Sequence, residues 1–359
     1  MSINRVYHTW LNRLGQLRPG ERKTCARNMA WLMTGILLSK SVHLSRIASK
    51  IPGKATLTSS VQRLRRFLKS PALQVREWYE PIAKALLEGQ AKNGRGIRLI
   101  LDGSKIGFGH QLLMVALAYR RRAIPIAWTW VKGKRGHSSA YKQLALLKYV
   151  HGLIPANVSV FAAGDSEFGA VQVLRQLEKW HWKYVLRQKA SHLVKLEGQG
   201  WQRFGNLIER ARQSLWFEQA LLTKEHAYKV NLLAHWKPGE KEPWLLATNL
   251  LTRKATLATY RRRMWIEEMF GDFKKHGFDL ESTHLRHFLR LSRLTLAVAL
   301  LYVWLVSFGS QVIKNGQRYL VDRSDRRDLS IFRIGYNMIE RCLTNSLAFS
   351  IRLVPYFRT

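Results

Sequence analysis

The stretch "IRLILDGSKIGFGHQLLMVALAYRRRAIPIAWTWV", residues 97–131, decides the fold. It breaks into three β-rich runs, "IRLILDGSKIGF", "QLLMVALAYRRR" and "AIPIAWTWV", with short interruptions at Gly109-His110 and around Arg122. The last two runs have the spacing of a hairpin. Downstream, "SSAYKQLALLKYVHGLI" reads as a helix with Ser138 or Ser139 as N-cap. "NVSVFAAGD" reads as a strand, "FGAVQVLRQLEKW" as a helix and "KYVLRQK" as another strand. The order β-β-β-α-β-α-β predicts a mixed sheet with helices on its faces, and an RNase-H-like core has this order.

Around that core the text changes character. Residues 1–95 are helical in pattern, and "HLSRIASKIPG" followed by "TLTSSVQRLRRFLKS" is similar to a helix-turn-helix. There Leu57, Val61, Leu64 and Leu68 share one face while Arg63, Arg65 and Arg66 project elsewhere, as candidate DNA contacts. A basic helical bundle that reads no sequence fits the same text. Residues 191–250 are short alternating runs and predict a β-rich insertion. Helical periodicity resumes at about residue 254 and continues to about 313. The expected organisation is α/β: a helical DNA-binding domain (1–95), a mixed-sheet core in two parts (96–190 and 251–313), the insertion (191–250), and a C-terminal segment (314–359) with no legible pattern. Leu294–Ile313 carries no charge and is long enough to span a bilayer. Its Thr295, Ser307, Ser310 and Gln311 and the Arg-rich stretch before it point to a buried core helix, so no membrane is expected.

Charge narrows the function. The formal net charge of the 359 residues is +37, and the first 76 residues hold 15 Lys or Arg against the single acid Glu21. An enzyme of small metabolites has no use for such a field, whereas a polyanion such as nucleic acid does. Thirteen Trp exclude a disordered basic tail. Cys25 and Cys342 are too few and too distant for a zinc site or a disulfide framework. They suit a reducing compartment, and the N-terminus has no apolar signal core.

Against this background three carboxylates stand out. Asp102 closes the apolar run "RLILD", and Asp165 closes "VSVFAAGD". The third lies in "YRRRMWIEEMFGDFK", residues 260–274, where acids interrupt a basic segment. At about 100° per residue, Tyr260, Arg263, Glu267 and Lys274 fall within about 60° of one another on a helix. Acids next to cations suit phosphodiester cleavage: carboxylates hold Mg²⁺, two ions assist attack and departure, and Arg and Lys hold the phosphate. Each acid alone has a plainer reading, as a strand-end cap or as an i,i+4 partner of Arg263 worth about 0.3–0.5 kcal/mol. Glu167 is a rival ligand, while Glu268 and Asp272 are expected on solvated faces.

The spacing Tyr-x2-Arg-x3-Glu-x6-Lys at Tyr260, Arg263, Glu267 and Lys274 resembles the YREK signature of the insertion-sequence-4 family of bacterial DDE transposases. The resemblance implies a catalytic and metal-binding triad of Asp102, Asp165 and Glu267 with two Mg²⁺, Mn²⁺ substituting. It implies hydrolysis at the transposon ends and attack of the freed 3′-OH on target DNA, in some relatives through a hairpin. The implied partners are double-stranded DNA (the element's terminal inverted repeats and its target) and a second copy of the chain on that DNA, in the bacterial cytoplasm at the nucleoid. In "WLLATN", Trp244 matches a Trp that receives a flipped base; a core Trp of the β-rich segment is the alternative, and Trp265 is a further stacking candidate. The sequence departs from the family at Asp102-Gly103-Ser104, where Asp-x-Thr is common, and at Asp165-Ser166, where an Arg often follows. An RNase-H-like metal-dependent nuclease that cuts without joining, and a non-catalytic DNA-binding protein, are the competing readings.

Overall fold

The structure, a computed structural model, describes residues 2–107, 109–133 and 138–357. Phe108, which closes the first predicted strand, lies outside them. The chain divides into two compact units, one of residues 1–93, 106–110 and 269–359, the other of 94–105 and 111–268. In chain order the elements are α1 (Ser2–Leu17), α2 (Lys23–Ser39), α3 (Leu44–Ala48), α4 (Leu57–Lys69), α5 (Val75–Ala91), β1 (Ile97–Ile106), β2 (His110–Tyr119), β3 (Arg122–Lys132), α6 (Ala140–His151), β4 (Val160–Gly164), α7 (Val171–Lys179) and β5 (Lys183–Arg187). There follow β6 (Leu193–Lys195), β7 (Trp201–Arg203), β8 (Ser214–Leu222), β9 (Tyr228–His235), β10 (Trp244–Thr248), α8 (Arg253–Tyr260), α9 (Trp265–Phe273), α10 (Phe288–Lys314) and α11 (Ile331–Thr344).

The sheet runs β3-β2-β1-β4-β5-β10-β9-β8-β6-β7. Three residues or fewer separate β1 from β2 and β2 from β3, which only antiparallel neighbours allow. The second turn, Arg120-Arg121, has positive φ at both residues, as a two-residue hairpin of type I′ requires, although Asn-Gly is the usual choice. β4 and β5 join parallel to β1, each after a helix. The order 3-2-1-4-5 with β1, β4 and β5 parallel is the arrangement expected of an RNase-H-like core. From β5 the sheet continues antiparallel through β10, β9, β8, β6 and β7, so the 191–250 segment extends the same sheet.

α10 organises the helical unit. Its most apolar window is 89% buried, so the run long enough for a bilayer has the surroundings of a core helix. Trp304 Nε1 donates to Ser350 O at 3.0 Å and Ser307 Oγ to Val354 O at 3.1 Å. These bonds fasten the C-terminal segment that no sequence pattern described. Arg293, buried, caps α4 by donating to the carbonyls of Leu68 at 2.9 Å and Leu73 at 3.1 Å. In α4, Leu64 and Leu68 are buried as expected, but Leu57 is 52% exposed, because it opens the helix beyond the packed face.

α10 and α11 cross at two glycines. A Cβ on Gly335 would run into the carbonyl oxygen of Leu305, and one on Gly309 into that of Ile331. Backbone cannot give way as a flexible side chain can, so only glycine permits this approach. Gly335→Ala is predicted to lower unfolding free energy by about 1–3 kcal/mol or more, measured by urea denaturation; an unchanged midpoint would contradict the close crossing.

Candidate active site

Strand register brings the first two carboxylates together. Leu101 pairs with Gly164 across the parallel β1–β4 ladder, so Asp102 and Asp165 are the next neighbours. Adjacent strands lie about 4.8 Å apart, and paired residues share a face of the sheet. β1 does not end at Asp102 but continues to Ile106, because the hairpin partner β2 goes on satisfying its backbone. Asp102 is 2% exposed. Asp165, half-buried, directly follows β4, and among the described residues no hydrogen bond or ion pair engages its side chain.

The third carboxylate arrives by a different geometry from the one the periodicity implies. Tyr260 to Lys274 is not one helix: α8 stops at Tyr260, a 3₁₀ turn covers Arg261–Met264, and α9 starts at Trp265. The tighter turn brings consecutive residues round faster than 100° each, so the computed common face does not hold. Arg263 and Glu267 still meet, with Nη2 donating to Oε1 at 2.6 Å. Arg263 Nη1 donates to Asp102 Oδ2 at 2.8 Å, while Asp102 Oδ1 accepts the Gly103 N–H at 2.7 Å. Burial works against the guanidinium's charge, yet Asp102, Tyr260, Glu267 and Asp165 outweigh it and raise its pKa above the ordinary arginine value. All three predicted acids thus act on one buried cation.

Tyr260 is 1% exposed and packs with Val185, Leu233, Leu246 and Leu250. Its ring lies edge-on to Trp244 at 5.0 Å, and the Arg263 guanidinium carbon is 5.9 Å from its centre. Burial pushes its phenol up to about 12, with Arg263 and Arg187 opposing and Asp165 and Asp102 assisting. Its hydroxyl is buried with no hydrogen-bond partner among the described residues. Trp244 is half-buried on the same cluster, and Trp265 is also half-buried. The chain Trp244–Tyr260–Arg263–Asp102 was not visible as a set in the sequence, since sheet pairing creates it.

The other candidates have different surroundings. Glu167 is buried, accepting from Gln111 Nε2 at 2.5 Å and from the Ser138 N–H at 2.9 Å. A Cβ on Gly103 would stand 2.6 Å from Glu167 Oε2. Side chains alternate along a strand, so Glu167 sits on the face of β1 opposite Asp102 and braces the sheet. Glu268 is exposed and pairs with Arg122 at 2.7 Å. Asp272 is 4% exposed, not solvated, because the turn after α9 folds back so that Phe278 N–H donates to the Asp272 carbonyl. Lys274 belongs to the helical unit and pairs with Glu281 at 3.1 Å. In the same unit Arg63 donates to Asn28 at 2.7 Å, while Arg65 and Arg66 are exposed.

The donor set is all carboxylate oxygen, the chemistry of a hard divalent cation, and three negative charges face one guanidinium. Among the described residues no three of His, Cys, Asp or Glu stand close enough to enclose a metal as they are placed. Arg263 is the cation they share. Removing it takes from buried Asp102 the guanidinium that it pairs with at 2.8 Å, so Arg263→Ala is predicted to cost about 3–5 kcal/mol. Combining it with Asp102→Asn should return part of that loss. Strict additivity in a thermal-denaturation double-mutant cycle would show that the two side chains do not depend on each other.

Comparison with known proteins bears on this geometry. No match was found among curated proteins. Among solved structures the chain is similar to a piggyBac transposase in a synaptic complex with hairpin DNA, at 10% identity and a TM-score of 0.42, covering 96% of this chain and 77% of that one. That likeness is too low for any argument to rest on it. Residues 98–304, more than half of the chain and including Asp102, Asp165 and Glu267, match the family described as Transposase DDE domain. The chain therefore belongs to the DDE transposases, enzymes of metal-dependent DNA cleavage and strand transfer.

Proposed function

We propose that the chain is the cut-and-paste transposase of a bacterial insertion sequence, of the YREK group of the insertion-sequence-4 family. The observation that carries this reading is the convergence of Asp102, Asp165 and Glu267 on Arg263, with Tyr260 beside it and Trp244 edge-on to Tyr260. The three acids would hold two Mg²⁺, or Mn²⁺ in their place, which when bound supply charge neutralisation for an in-line displacement at phosphorus.

The chain's own residues then have separable tasks. Asp102, fixed by Gly103 N–H and Arg263, presents a carboxylate that cannot rotate. Asp165 and Glu267, more exposed, can adjust to an arriving strand. Arg263 offers a two-pronged donor to a phosphate once the acids have another cation to face. Tyr260 stays protonated at neutral pH, so its unpartnered hydroxyl is a donor waiting for an acceptor. Trp244 takes a flipped base if excision passes through a hairpin, and Lys274 holds the end DNA. Two ends must be joined in one event, so two copies are expected on the terminal repeats, in the nucleoid.

Glu267→Gln is predicted to retain duplex binding in a gel-shift assay and to lose Mg²⁺-dependent cleavage of the DNA flanking the gene. Loss of binding together with cleavage would argue that Glu267 braces Arg263 and nothing more. Cleavage by wild type without joining to a second duplex would favour a nuclease of the same family. Tyr260→Phe is predicted to leave stability unchanged or raise it by about 1 kcal/mol, since it deletes a buried unsatisfied hydroxyl, while weakening end-DNA binding. A Tyr with a raised folded-state pKa opposes ionisation, so wild-type stability should fall as pH rises above about 10. The Phe variant should lack that component; an identical alkaline profile would remove Tyr260 from the account.

A further inference from the structure

A second basic site lies wholly within the helical unit. The turn leading into α3, the side of α4 and the segment 283–290 that enters α10 enclose a cavity of about 770 Å³. Its polar lining is His43, Arg65, His284, Arg286, His287 and Arg290, with Ser45 and Thr283, and no lining residue is an acid. The site is held in shape. Ser45 Oγ lies 2.7 Å from His43 Nδ1, and the His43 and His284 rings meet edge to face at 5.0 Å. His110 Nε2 lies 2.7 Å from the Arg286 carbonyl oxygen, and its ring packs on Phe288 at 5.2 Å.

Three guanidiniums in one cavity give it a positive potential that favours an anion. Burial first, then His284 and Arg46, push the pKa of His43 below the ordinary histidine value, against the opposing pull of Asp279. Asp279 is itself 4.0 Å from Arg46. The wall also carries the start of the long helix α10. His287 is its N-cap, no side chain caps it and its first turn holds no acid. Uncapped amides at a helix start add positive potential and free donors. The volume exceeds one small anion, and planar forks suit phosphodiester oxygens, so a run of backbone fits better than an isolated ion.

We propose that this cavity seats a stretch of the phosphodiester backbone of duplex DNA, with Arg65, Arg286 and Arg290 taking its phosphates. The proposal rests on the reading that the chain acts on DNA. A phosphate beside His43 favours the imidazolium, so the complex binds more protons than the free protein. Affinity should therefore rise as pH falls from about 7.5 towards 5.5.

The test uses the full chain and a fluorescein-labelled short duplex of the DNA flanking the gene, followed by anisotropy across salt and pH. Arg65→Ala combined with Arg290→Ala should weaken binding by about tenfold or more and reduce the logarithmic salt slope by about two. The corresponding double Lys variant should keep the wild-type slope, which separates lost charge from a lost fold. His43→Gln should bind with a flattened pH profile. A double Ala variant with the wild-type affinity and slope would overturn the pocket while leaving the DNA reading intact. A wild type with no salt-sensitive duplex binding would overturn both.

Discussion

Burying the guanidinium of Arg263 obliges the chain to bring carboxylates to it. A buried unpaired charge is prohibitive, and the arginine is 6% exposed. The parallel register of β1 and β4 supplies Asp102 and Asp165, and the start of α9 supplies Glu267. Three acids separated by 165 residues of sequence, from Asp102 to Glu267, thus become one electrostatic unit.

The sheet does more than carry two aspartates. β5 lies between β4 and β10, so the strand that bears Trp244 is one place removed from the strand that leads into Asp165. Tyr260, at the end of α8, fills the apolar gap between them by packing on Val185 of β5 and Leu246 of β10. The segment that reads as an insertion is therefore tied to the strand that leads into Asp165 through shared backbone hydrogen bonds. On the other face, Gly103 leaves room for Glu167 to be held by Gln111 and the Ser138 amide.

Much of this was legible because its physics is local. The strand and helix order of residues 97–187 follows from apolar runs and their breaks, and the Arg263–Glu267 contact follows from i,i+4 spacing. What escaped depends on partners that sequence spacing does not reveal. Asp102 reads as the end of an apolar run because Gly103, Ser104 and Lys105 that follow it are not apolar, yet β1 runs on past it to Ile106. Tyr260 to Lys274 reads as one helix because nothing local marks the 3₁₀ turn at Arg261–Met264. Glu167 rivals Asp165 on paper, and only the alternation of β1 puts it on the wrong face. His43 and His284 stand 241 positions apart, and no periodicity joins them.

The most direct measurement is to map the ends of breaks made in the DNA flanking the gene when the protein is supplied with Mg²⁺, comparing wild type with Asp102→Ala. Metal-dependent breaks with 3′-OH ends are predicted at both flanks, absent in the variant while it still binds the duplex. Salt-sensitive binding by wild type with no break, or equal breakage by the variant, would contradict a catalytic site centred on these three acids.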